Sequence, residues 1–174
     1  ARRQLGSDVG EYFSSLLGLD LEQSAVRLVE YAQVGLSTFI TAADSLGVAW
    51  HVFSDGDAAG LKTATTVRNA LSGRSEGEHL TLLPKGDPVE PYLCRNGFMD
   101  VYELHANEQN RVRYITVDKD NDAYPEQLYK CLPNNGKPSA AHAVVAKMKI
   151  DGSASIPKEI ADCLKAVIAL AGDK

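Results

Sequence analysis

Cysteine is scarce in this sequence and carries no pattern. Cys94, Cys131 and Cys163 lie far apart and are odd in number. That spacing excludes a zinc cluster and a disulfide framework, and the expectation is a reducing, cytoplasmic setting. Long apolar runs are missing too. The longest, such as Ala166 to Ala171, is far short of a bilayer span, so no membrane segment is expected. No secretory leader is legible, because Arg2 and Arg3 are followed by polar residues instead of an apolar stretch. The chain opens on Ala1 with no Met, which reads as a fragment of something longer. Positive charge is also short: the net charge is −5, which excludes a broadly basic surface for nucleic acid. His51, His79, His105 and His142 share no spacing, so none is assigned to a metal.

What is present is an alternation of strands and helices. Leu5, Val9, Tyr12, Phe13, Leu16 and Leu17 recur at helical spacing up to Gly18. Val26–Ala32 reads as a strand, and Ser37 as the N-cap of a helix that runs to Leu46 and stops at Gly47. Val48–Phe53 is a nearly continuous apolar run, the signature of a strand covered on both faces. A helix is expected from Asp57 to about Leu71 and a strand from His79 to Leu83. Asp87 then reads as the N-cap of a helix with Pro88 at its first position. Phe98–Leu104 reads as helix, residues 105–136 as a polar connector, and helices return at Ser139–Lys149 and Lys158–Ala171. The expected fold class is therefore α/β, a parallel sheet flanked by helices with extra helices at the C-terminal end. The division is a core over 1–104 and a connector with completing helices over 105–174.

The chemistry concentrates at Phe53-Ser54-Asp55-Gly56-Asp57-Ala58-Ala59-Gly60. In an open parallel sheet ligands bind beyond the carboxyl ends of the strands. Asp55 stands where the apolar strand runs out, and Asp57 at the mouth of the next helix. Two carboxylates this close repel unless a cation lies between them, and hard oxygen donors suit Mg²⁺ or Mn²⁺. An isolated Asp-Gly-Asp is more often a turn with a helix cap; the apolar strand before it and the small residues after it favour a site. Gly56 is expected to permit a sharp turn, and Ala58, Ala59 and Gly60 to let a phosphate approach.

This octapeptide, followed by Ala64, resembles the aspartate motif of TOPRIM domains, found in primases, topoisomerases and nucleases. The wider run from Val26 to Leu71 is most similar to the C-terminal region of the OLD (overcoming lysogenization defect) family nucleases. The resemblance implies a TOPRIM-like sheet and a metal-dependent DNA endonuclease, with two ions serving phosphodiester hydrolysis. It implies Asp55, Asp57 and Glu90, with Asp87 as a further candidate, around Mg²⁺ or Mn²⁺, and Lys137 as the catalytic cation against charge on the scissile phosphate. Asp87 competes with its own reading as a helix cap. The family's first-strand glutamate has no counterpart here: Glu30 lies too close to Asp55, so the first strand and its glutamate are expected upstream. The implied partners are DNA and an N-terminal ATPase domain of the parent chain, with ATP bound there and homo-oligomers formed through it. A primase-like nucleotidyltransferase and a non-catalytic metal- or DNA-binding module stay open as alternatives. Tyr12, Tyr31 and Tyr92 read as packing residues, which weighs against topoisomerase chemistry.

Overall fold

The structure is a computed structural model, and it describes residues 18, 20–31, 35–84, 86–133 and 136–172. The helix expected over Leu5–Leu17 lies outside these residues. The described chain is mostly helical, with a small parallel sheet of two strands.

Helix α1 (Leu36–Leu46) begins at Gly35, whose φ of 92° suits glycine; Ser37 falls inside the helix, past the cap position. Gly47 ends it in the left-handed conformation, with its N–H turned back to the carbonyls of Ala43 and Asp44. Strand β1 is Val52–Ser54, shorter than the apolar run that announces it. Val48 is 49% exposed, so the first half of that run has no sheet to join. Helix α2 (Ala58–Ala70) follows, then a short helix α3 (Glu76–His79) and strand β2 (Leu80–Leu82). The strands pair in parallel, Val52 with Leu80, Phe53 with Thr81 and Ser54 with Leu82. The expected β-α-β unit is therefore present.

Val26–Tyr31 departs from expectation. It joins no ladder, and Val29 is 60% exposed. Strand propensity measures fit to a half-buried pleated surface, and this stretch has no such surface beside it.

Beyond β2 come α4 (Val89–Leu93), a wide π-type turn over Cys94–Phe98, and α5 (Met99–His105). The turn bends at Gly97, whose φ is 96°. The stretch read as a connector holds two helices, α6 (Glu108–Tyr114) and α7 (Tyr124–Cys131). Asn107 caps α6 through its side chain, and Pro125 suits the first turn of α7. Helices α8 (Gly136–Asp151) and α9 (Lys158–Gly172) complete the fold. Among the described residues no helix is long and apolar enough to cross a membrane.

Side chains alternate across the sheet as the strand period requires. Val52, Leu80 and Leu82 pack with Ile40, Ala64 and Val67 beneath α1 and α2. Phe53 faces the other way, against the larger core of Tyr92, Phe98, Tyr102, Leu128, Val144, Met148 and Ile160. That core takes residues from both sides of position 104. Helical layers thus cover both faces, as a parallel pair requires.

The amino ends of the strands are tied by histidines. His51 Nδ1 donates to the Glu78 carbonyl at 2.8 Å, which leaves Nε2 to accept from the Thr81 hydroxyl at 2.8 Å. His79 Nδ1 donates to the Trp50 carbonyl at 2.7 Å. Burial lowers the His51 pKa from 6.5, and nearby His79 lowers it further, against the Glu78 carbonyl. The neutral ring is therefore the form that the fold favours. Its contribution is present above the unfolded-state value and is lost as pH falls through the lower folded value. The urea midpoint should fall between pH 7 and pH 5, and His51→Gln should flatten that fall. An equally steep fall in the variant would assign the acid sensitivity elsewhere.

Candidate metal centre at the strand ends

Asp55 leaves the last residue of β1 and Asp57 enters α2. The Asp57 side chain caps that helix, Oδ1 accepting from the Gly60 N–H at 2.8 Å. Capping takes Oδ1 alone, and a carboxylate has a second oxygen to offer.

Two glycines hold this turn in place for reasons that differ from the expected ones. A Cβ on Gly56 would lie 1.8 Å from the Pro84 carbonyl oxygen and 2.7 Å from that of Leu83. The Gly56 N–H donates to the Asp87 carbonyl at 2.8 Å, and the Gly86 N–H returns to the Gly56 carbonyl at 2.9 Å. The loops leaving β1 and β2 are thus zipped backbone to backbone, and Gly56 serves that contact. A Cβ on Gly60 would lie 1.7 Å from the Asp55 carbonyl oxygen. Gly60 lets α2 sit on the end of β1, and it is buried. It does not face an approaching phosphate, whereas Ala58 and Ala59 are exposed.

The zipped loops bring Glu90 to the same end of the sheet. Burial raises the Asp55 carboxyl to about 6, with the charges of Glu90 and then Asp57 pushing it the same way, against a hydrogen bond from the Val89 backbone. Glu90 is likewise raised by burial, against its own backbone N–H and the positive charge of Lys137. Asp55 feels both other carboxylates, and Glu90 feels Lys137. Asp55 and Glu90 are both partly withdrawn from water.

Lys137 lies in the first turn of α8, not in a loop. An ammonium there opposes the helix dipole, so it does not serve the helix. Tyr129 of α7 holds it: Nζ donates to the Tyr129 hydroxyl at 2.7 Å and lies 4.1 Å from the ring centre.

Asp87 is differently engaged. Pro88 occupies the N-cap of α4 and no side chain caps that helix, so the capping reading of Asp87 is corrected. Its carboxylate, 14% exposed, is paired with Arg95, which also binds Glu126.

The donors are oxygens, the type that suits a hard cation, and the Asp55 carboxyl is raised first by burial and then by the neighbouring carboxylates. Among the described residues no three His, Cys, Asp or Glu side chains stand close enough to enclose an ion unaided. Glu30 is exposed in the unpaired segment and no shared field with Asp55 links it to the cluster.

Tyr129 and Arg95 were not singled out in the sequence. Each lies eight positions from its partner across a helix boundary, Tyr129 from Lys137 and Arg95 from Asp87, so no periodicity marks either.

The chain is similar to the uncharacterized protein YbjD of Escherichia coli (strain K12), with 31% identity over 160 residues. The likeness takes in 88% of this chain, which spans 27% of that protein's length. The relative is itself uncharacterized, so the likeness brings no activity with it. No protein-family model matches the chain, and no solved structure matches it.

Proposed function

We propose that this chain carries the divalent-metal site of a DNA phosphodiesterase, a TOPRIM-like domain of the OLD type within a longer protein. One observation carries the reading: Asp55, Asp57 and Glu90 share the carboxyl end of a parallel strand pair, and Glu90 feels the charge of Lys137. In parallel α/β sheets that end is where ligands bind.

Asp55, Asp57 and Glu90 would contribute ligands to Mg²⁺ or Mn²⁺, with the remaining ligands supplied by water and by the longer protein, because the three do not enclose an ion by themselves. An ion there would supply Lewis acidity toward a phosphate oxygen and lower the pKa of a water. Asp57 keeps α2 fixed while presenting its second oxygen. Lys137, oriented by Tyr129, places a positive charge where negative charge develops on the phosphate. With a net charge of −5 the chain has little general affinity for DNA, so the metal and neighbouring parts of the longer protein supply it. The rest of the reading follows the resemblance: a cytoplasmic setting, an ATPase domain in the parent chain, and a further glutamate that Glu30 does not provide.

Calorimetric titration of Mn²⁺ and Mg²⁺ tests the site, followed by plasmid nicking with the full-length protein. Asp57→Asn is the cleaner variant, because it keeps a capping oxygen and removes the charge; Asp57→Ala adds a capping loss of about 1 kcal/mol. Saturable binding abolished by Asp55→Asn and Asp57→Asn is expected. Lys137→Ala should leave binding in place and slow nicking by about a hundredfold, the usual scale for one electrostatic group. Binding that ignores both aspartate variants would move the ion elsewhere and refute the proposal.

A further inference from the structure

Arg95 belongs to no motif, yet it occupies a junction. It lies in the π-type turn between α4 and α5, one residue before the bend at Asn96 and Gly97. One guanidinium nitrogen donates to the Asp87 carboxylate, and the other donates to the Glu126 carboxylate and, at 3.1 Å, to the Asp122 carbonyl. Asp87 is in the loop zipped to Gly56, the residue between Asp55 and Asp57. Asp122 and Glu126 lie at the start of α7, whose other end carries Tyr129, the residue that holds Lys137.

From this we infer that Arg95 is a positioning residue for the proposed site: it fixes the spacing between the aspartate pair and Lys137, through α7. The inference rests on the proposed function. A planar fork with donors on separate nitrogens spans two carboxylates and a carbonyl at once, which one ammonium cannot reproduce. Removing the guanidinium leaves Asp87 and Glu126 as like charges across the gap. The loop then loses its tether to α7, the helix whose Tyr129 holds Lys137. Asp87 is accordingly the anchor of the clamp, and its charge is spent on Arg95 instead of an ion.

The test uses the full-length protein and a double-mutant cycle in Mn²⁺-dependent plasmid nicking, with Arg95→Ala, Lys137→Ala and the two together. Arg95→Ala is expected to slow nicking at saturating Mn²⁺ by about tenfold, and Arg95→Lys to recover little of it. In the Lys137→Ala background the further loss from Arg95→Ala should shrink to twofold or less, at about the twofold scale of independent noise, because the spacing no longer matters. A purely structural role would make the two losses multiply, and that result overturns the inference. So does full activity in Arg95→Ala. Thermal melting of each variant is read alongside; a collapsed Arg95→Ala is replaced in the cycle by Glu126→Gln, which keeps an acceptor but weakens the same clamp, with the same two outcomes deciding. A wild-type protein that neither binds Mn²⁺ nor nicks overturns the proposed function itself, and this inference with it. Active wild type with multiplying losses overturns the Arg95 role alone.

Discussion

Gly60→Ala is expected to destabilise the chain by about 3 kcal/mol, at the upper end of overpacking penalties. Within a helix, alanine normally gains about 1 kcal/mol over glycine. Here the added carbon would lie 1.7 Å from the Asp55 carbonyl oxygen and 2.6 Å from its carbon. Backbone cannot yield as a flexible side chain can, so α2 must move off the end of β1. The steric term wins over propensity. Gly56→Ala meets the Pro84 carbonyl at 1.8 Å and should cost about as much, while breaking the exchange of hydrogen bonds with Gly86 and Asp87. Gly77→Ala is the control: a helical glycine with nothing near its Cβ, expected to be neutral or stabilising by up to about 1 kcal/mol. Chemical denaturation of the three variants checks the set. If Gly60→Ala unfolded at the wild-type midpoint, the close approach of α2 to β1 would be refuted.

Asp55→Asn should separate stability from function. The Asp55 carboxyl is raised from 3.8 to about 6 by burial, then by Glu90 and Asp57. An acid raised in the folded state favours folding most when protonated. Its contribution is complete below the unfolded value and is lost as pH rises through about 6. At pH 8 the ionised group therefore strains the metal-free fold, and the isosteric amide relieves it. The group is only partly buried, so after allowance for solvent screening the gain is about 1 kcal/mol. The advantage should vanish near pH 4. Divalent cations should act the other way: at about ten times the dissociation constant they stabilise wild type by about 1.4 kcal/mol, and Asp55→Asn not at all. An amide variant that is less stable at pH 8 and still responds to Mg²⁺ would make Asp55 a structural residue.

The two predictions concern residues of one octapeptide, and they show why sequence legibility was uneven. Asp57 as the cap of α2 was readable, because capping is a local event within three residues. The β-α-β alternation and the parallel pairing were readable from apolar runs and their separators. The role of Gly56 was not, since its constraint comes from Pro84, in another loop. Asp87 has the credentials of a cap, yet Arg95 takes its carboxylate and Pro88 takes its position. Val26–Tyr31 has strand composition and forms no ladder, because pairing requires a neighbour that composition does not supply. Helices α6 and α7 were hidden by Asn and Asp around them, residues that mark loops and caps alike.

By itself the sequence determined the local events: where α1 stops at Gly47, where α2 is capped, which residues are apolar enough for β1 and β2, and that Asp55 and Asp57 stand where a strand ends. These depend on forces that act within one or two helical turns. Only the tertiary structure decided which distant groups face those aspartates. Glu90 reaches them because the loops after β1 and β2 are zipped by backbone hydrogen bonds, and Glu90 in turn feels Lys137, which Tyr129 of α7 holds. Such meetings are set by packing between elements, and a linear pattern has no period that records them.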